Sequence, residues 1–206
     1  MIDPFLVKKT TKKYDAIVVG SGISGGWVAK ELCERGLEVL MVERGPAVRH
    51  RQDYTGEGKA PWQLPHGGEV ERELAEDEYY VQKRCYAFNQ ATRKFFGNDR
   101  DYPYSTADGS RFDWIRGNTL GGRSILWHRQ SYRWAPNDFE ENLRDGNGCD
   151  WPIRYDDLEP WYSHVERFAG ISGSVDNIPE LPDSECLPPF EFNALEKHLK
   201  TVIEDR

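Results

Sequence analysis

The sequence predicts an α/β protein with a parallel strand–helix–strand unit near its start, and three observations predict it. The continuous apolar run Asp15-Ala16-Ile17-Val18-Val19 reads as a strand buried on both faces. A glycine-rich turn from Gly20 to Gly26 leads into an amphipathic helix, Trp27 to Arg35, which Gly36 is placed to end in the left-handed conformation. A second apolar run, Val39-Leu40-Met41-Val42, supplies the next strand and ends on Glu43-Arg44-Gly45.

Composition narrows the class. With 206 residues, 38% hydrophobic and 30% charged, the chain reads as a soluble globular protein able to bury a core. A net charge of -8 repels phosphate backbones, which excludes nucleic acid as a partner. No stretch approaches the about 18 to 20 apolar residues needed to span a bilayer. Residues 1–13 read as a flexible polar tail carrying Lys8, Lys9, Lys12 and Lys13, without the apolar run of a signal peptide. By sequence alone the protein is therefore expected to be cytoplasmic. Cys33, Cys85, Cys149 and Cys186 lie far apart and read as thiols, with no metal site expected.

Within residues 14–45, Gly20, Gly22 and Gly25 form a GxGxxG pattern, and each glycine has a mechanical task. Gly20 permits the tight turn, Gly22 lets backbone approach a pyrophosphate, and Gly25 lets helix and strand pack closely. The helix N-terminus then offers free N–H groups and partial positive charge to the phosphates. Glu43 lies 18 residues beyond Gly25, where its carboxylate can accept from the ribose hydroxyls of an adenosine. This is a Rossmann-like FAD/NAD(P)-binding unit. Glu43 would repel the 2′-phosphate of NADP, and by itself it does not separate NAD from FAD.

Residues 46–110 have poor hydrophobic periodicity and dense charge, with aromatics such as Trp62, Tyr79, Phe88 and Phe96 scattered through them. They read as a long irregular insertion covering the nucleotide, with a short helix near Glu69 to Asp77. Farther on, Asp156 is placed to cap a helix with Glu159 three residues later, and Gly170 closes it. Residues 176–189, rich in Pro and acids, read as an extended linker, and Phe190 begins a further helix carrying Leu195, Leu199 and Ile203.

A second glycine signature, Arg116-Gly117-Asn118-Thr119-Leu120-Gly121-Gly122-Arg123-Ser124, runs on into Ile125-Leu126-Trp127. Read by itself, it is a glycine loop that admits an electron-rich ligand or a simple tight turn. Together with the unit at 14–45 it resembles the glucose–methanol–choline family of FAD-dependent oxidoreductases. A third stretch, Asp150-Trp151-Pro152-Ile153 through Trp161-Tyr162, Glu166 and Gly170-Ile171-Ser172-Gly173, is similar to the branch of gluconate, fructose and glucoside dehydrogenase large subunits and pyranose oxidases.

The resemblance implies oxidation of sugar or polyol CH–OH groups, with hydride passing to FAD and electrons to an external acceptor. It also implies a quinone or cytochrome acceptor and a small partner subunit, through which co-export to the periplasm would be open. Gly20, Ser21, Gly22, Ile23, Ser24, Gly25, Glu43 and Arg44 would hold the ADP moiety. Arg116, Thr119, Gly121, Gly122, Ser124, Leu126 and Trp127 would line the flavin side. Pyranose oxidases place a flavin-bonded His just before a Trp; here Leu126 stands there and His128 follows Trp127, so non-covalent FAD is expected, with attachment at His128 the lesser alternative.

The family's catalytic His, near the end of a much longer chain, has no counterpart after Pro189. His50, His66, His164 and His198 stand singly. The expected organisation is therefore a tail (1–13), the ADP-binding βαβ unit (14–45), an insertion (46–110), a flavin-side loop with a following helix (111–175), and a linker opening a substrate domain (176–206). The whole reads as the incomplete N-terminal part of a larger two-domain fold, inactive by itself. A flavin-free NAD-dependent dehydrogenase and a non-catalytic nucleotide-binding module are the alternatives.

Overall fold

The computed structural model describes residues 12–205. The predicted tail up to Thr11 lies outside them; Lys12 pairs with Glu38 at 2.5 Å. The chain divides into two compact units, one ending at His128 and the other beginning at Arg129.

In the first unit, β1 (Ala16–Val19) and β2 (Val39–Val42) pair in parallel, with α1 (Ile23–Glu34) as the crossover between them. The register sets Ala16 against Val39 and Val19 against Val42. β-Branched valines and isoleucine favour the pleat. Val18 faces α1 and is buried, whereas Ile17 and Val19 point the other way and are 66% and 82% exposed. The expectation of a strand buried on both faces is therefore corrected. Alternate residues of a strand face opposite sides, and among the described residues nothing covers the outer one.

The helix also begins earlier than predicted. Gly22, in extended conformation, is its N-cap, and Gly26 N–H already donates to the Gly22 carbonyl at 2.8 Å. Only Gly20 to Gly22 are turn, because a parallel crossover this tight needs no more. Gly36 ends the helix as expected, in the left-handed region and donating to the Cys33 carbonyl.

The insertion has a core of its own. Tyr79, Phe88 and Phe96 are buried together, with ring centroids 5.2 Å apart for both Tyr79–Phe88 and Phe88–Phe96. The helix α2 (Arg72–Asp77) is shorter than predicted, and Leu74 packs on that core. Short 3-10 turns deliver the other aromatics, and such turns keep no long period for a sequence pattern to display. The side chain of Gln82, fully buried, donates to the Gly97 carbonyl at 2.8 Å. Gly97 N–H donates to the Arg116 carbonyl at 2.7 Å, which ties the insertion to the second glycine loop.

The second unit contains α3 (Pro136–Asp145), α4 (Tyr155–Ala169) and α5 (Ala194–Glu204). α3 was not predicted from the sequence, although its start is marked. Pro136 occupies the first helical position, and Asp138 accepts the Ala135 N–H at 2.7 Å. α4 begins before the expected cap at Asp156: Asp157 accepts the Arg154 N–H at 2.8 Å, which places the boundary two residues earlier. Asn193, not Phe190, opens α5, through a reciprocal pair of hydrogen bonds with Glu196 of 3.0 and 2.7 Å. Residues 176–189 fold back rather than extend freely, with Leu187 N–H donating to the Ile171 carbonyl at 2.7 Å. Among the described residues no helix is long and apolar enough to cross a membrane.

A buried ion pair anchors this unit. Arg133 reaches both carboxylate oxygens of Glu166 at 2.9 and 2.7 Å, and also Ser163 at 2.9 Å and the Tyr155 hydroxyl at 3.1 Å. Burial pushes the Glu166 carboxyl up, but the Arg133 guanidinium and the Glu185 N–H outweigh it and hold the group below the ordinary carboxylate range. Its stabilisation is therefore fully present above the unfolded-state value and is lost as pH falls through the folded one. Glu166→Ala leaves the buried guanidinium with Ser163, the Tyr155 hydroxyl and the exposed Glu159 carboxylate at 3.9 Å, a cost of up to about 3–5 kcal/mol. Urea unfolding followed by tryptophan fluorescence is expected to show that loss at pH 7, and a smaller one in acid.

Candidate nucleotide-binding site

The site grows from the turn between β1 and α1. A Cβ on Gly25 would lie 2.0 Å from the Gly20 carbonyl oxygen, so helix and strand approach more closely than any side chain allows. The N-terminus of α1 carries no side-chain cap and no acidic residue in its first turn. Its leading N–H groups, from Ile23, Ser24 and Gly25, thus keep their partial positive charge for an anion.

Glu43 stands at the end of β2 and grips this turn. Its Oε2 accepts from Ser21 N–H at 2.7 Å and from the Ser21 hydroxyl at 2.6 Å, while Oε1 accepts from Gly45 N–H at 2.8 Å. The Ser21 hydroxyl, then the Gly45 and Ser21 N–H groups, pull its pKa down to about 2. A carboxylate offers roughly four acceptor positions; Ser21 takes both on Oε2, and Gly45 N–H binds Oε1 with the Arg44 N–H also turned toward the group. The sequence assigned Glu43 to ribose; the structure gives it a second task, holding its own turn.

The second glycine loop lies against the first. A Cβ on Gly122 would sit 3.4 Å from the Gly22 Cα. Gly121, at φ 90°, donates its N–H to the Ser21 hydroxyl at 2.9 Å and accepts from Ser124 Oγ at 2.6 Å. Leu120 N–H donates to the Pro46 carbonyl at 2.9 Å. Gly45 was missed as a site residue: a Cβ there would lie 2.6 Å from the Thr119 backbone. Its only signal in the sequence is the glycine that follows the acid at a strand end.

The remaining predicted residues divide. Arg44 donates to Asn118 Oδ1 at 3.1 Å and lies over the Tyr102 ring, beside the loop. Arg116 contributes backbone to the loop, but its guanidinium is turned to Asp99 and the Tyr102 carbonyl, between the Tyr104 and Trp114 rings. Leu126 packs on the aromatic core of the insertion, and Trp127 is half exposed. His128 meets the Tyr86 hydroxyl at 2.7 Å through Nε2. Asn118 Nδ2 and Thr119 Oγ1 are buried in the loop without a hydrogen-bond partner. Buried polar atoms are rarely left so, and these two fit a ligand rich in acceptors and donors, as the dinucleotide FAD is.

No protein-family model matches the chain. It is 30% identical over 197 residues, 93% of its length, to the 2-methyl-1,2-propanediol dehydrogenase of Mycolicibacterium austroafricanum. It is 28% identical to the gluconate 2-dehydrogenase flavoprotein of Pantoea cypripedii over 82% of the chain, and 28% identical to the fructose dehydrogenase large subunit of Gluconobacter japonicus over 79%. The chain is homologous to FAD-dependent oxidoreductases of the glucose–methanol–choline type. It spans 31%, 27% and 28% of the lengths of these three relatives.

Two substitutions one residue apart separate turn packing from helix propensity. Gly25→Ala collides with the Gly20 carbonyl and is expected to cost about 1–3 kcal/mol or more. Gly26 has open space at its Cβ. Gly26→Ala should therefore be neutral or stabilise by up to about 1 kcal/mol. Urea midpoints of the two variants decide. A second expectation concerns acid. Glu43, ordinarily near 4.5 and here about 2, contributes stability that is present above its unfolded value and lost as pH falls through about 2. The difference in stability between the native chain and Glu43→Gln should shrink steadily from pH 5 downward.

Proposed function

We propose that this chain binds FAD non-covalently and serves an oxidoreductase acting on CH–OH groups of sugars or related polyols, with electrons passing to an external acceptor. The observation that carries the reading is the backbone contact between the two glycine loops, Gly20–Gly25 and Thr119–Ser124, beside an uncapped helix N-terminus and two unpaired buried polar atoms. The dehydrogenase relatives named for gluconate and fructose support the substrate class.

In this reading the N–H groups of Ile23, Ser24 and Gly25 hold the pyrophosphate, and Glu43 Oε1, the oxygen that Ser21 does not engage, takes one ribose hydroxyl. Asn118 and Thr119 meet the cofactor from the opposite loop. Bound FAD supplies two-electron acceptor chemistry, while the protein supplies position and electrostatics. Leu126, in the place before Trp127, offers no attachment atom. The ring of His128 is engaged by Tyr86, which also supports a non-covalent flavin. A "large subunit" among the relatives supports a small partner subunit; a quinone or cytochrome as acceptor belongs to the same reading.

The test is FAD titration of the purified chain, followed by absorbance near ~370 and ~450 nm, the bands of the flavin cofactor, and then by acid precipitation. Saturable binding with flavin released into the supernatant is expected. Glu43→Gln should weaken it by about tenfold or more, the size of one charge-assisted hydrogen bond. Colour retained in the pellet would overturn the non-covalent assignment, and a folded chain that takes NAD but not FAD would overturn the flavin reading.

A further inference from the structure

The resemblance counts Ser21 among the residues around the ADP moiety, but its hydroxyl is turned to partners within the protein. The Ser21 hydroxyl donates to Glu43 Oε2 at 2.6 Å and accepts from Gly121 N–H at 2.9 Å. It thereby joins the end of β2 to a loop 100 residues away in sequence. The connection demands a side chain that donates and accepts at once within a tight turn. A hydroxyl does so; an alanine, a glycine or a donor-only side chain does not.

We propose that Ser21 is a positioning residue whose hydroxyl locks the flavin-side loop Thr119–Ser124 to the Glu43 end of β2, so that nucleotide turn and flavin loop are held as one piece. The lock lies wholly within the protein; the proposal rests on the FAD reading only for what the joined piece holds. Steric contacts make it a short-range fastening rather than a chance approach. On one side the loop is pressed against Gly22, and on the other Thr119 is pressed against Gly45. The Ser21 bond stands between these two contacts. Without it, Gly121 N–H loses its acceptor and Glu43 loses its hydroxyl donor. The charged groups of the neighbouring segments are directed elsewhere: Arg44 to Asn118, Arg123 to the Ile115 carbonyl, and Arg116 to Asp99. The acid therefore depends on Ser21 and Gly45 rather than on a cation.

The experiment uses the full chain without ligand, isotopically labelled, comparing the native protein with Ser21→Ala and Ser21→Thr by NMR. In Ser21→Ala, exchange of the Gly121 amide is expected to quicken about tenfold, the equivalent of one net hydrogen bond, and the Glu43 carboxyl to titrate nearer the ordinary carboxylate range. Ser21→Thr should restore both. Unchanged Gly121 exchange and Glu43 titration in Ser21→Ala would overturn the proposal. So would a uniform rise in exchange across β1 and α1 that threonine fails to reverse, which marks a general loss of fold. FAD and ADP titrations then test what the joined piece holds. Ser21→Ala should lose about tenfold more affinity for FAD than for ADP, and equal losses would overturn that part. A native chain that binds no FAD overturns the flavin reading alone, and the exchange data still decide the role of Ser21.

Discussion

The Glu43 carboxylate is the constraint on which the first unit depends. One ionised group at the end of β2 accepts Ser21 N–H, the Ser21 hydroxyl and Gly45 N–H, and so sets both ends of the nucleotide turn. Charge-assisted hydrogen bonds of this length are about twice as strong as neutral ones. They hold a turn that has little else: α1 contributes no buried side chain, and its contact with β1 runs through Gly25 backbone. The acid that would select a ribose is thus also the fastening that makes a place for it.

A second fastening of the same kind organises the other unit. Arg133 and Glu166 are both buried and satisfy one another through two hydrogen bonds, with Ser163 and Tyr155 taking donors that remain. Trp134, Phe139, Trp151 and Tyr155 pack around the start of α3 and α4 with centroids 5.6 to 6.5 Å apart. In each unit, therefore, a carboxylate fixes backbone N–H groups: Glu43 those of Ser21 and Gly45, and Glu166 that of Glu185.

Much of this was legible in the sequence, and what was not has physical reasons. The strands at Ala16–Val19 and Val39–Val42 and the caps at Gly36 and Gly170 follow from local chemistry, and the sequence displays them openly. The start of α1 was misplaced because glycines 25 and 26 look like turn, yet Gly25 is required inside the helix by packing against Gly20. α3 carries a start signal in Ala135-Pro136-Asn137-Asp138 but shows no apolar period, since Phe139 and Leu143 are its apolar residues. The site was harder. Gly121, Glu43 and Ser21 were all nominated from the motifs, but the bond that joins them through the Ser21 hydroxyl was not, since a hydroxyl bonded over 100 residues leaves no periodic trace. Arg116 shows the reverse. Its place at the head of the loop invites a ligand, and its guanidinium is spent on Asp99 between two aromatic rings.

The outward side of β1 bears on how the chain behaves as a colloid. Ile17 and Val19 present branched hydrocarbon to solvent on a sheet of two strands among the described residues. Such a surface is attractive at contact, while the net charge of -8 keeps copies apart at longer range. The balance rests on ionic strength. In dilute buffer the repulsion reaches across tens of ångströms, whereas near physiological salt it decays within about 8 Å. Added salt, ordinarily a kindness to acidic proteins, brings these hydrocarbon faces within reach of one another.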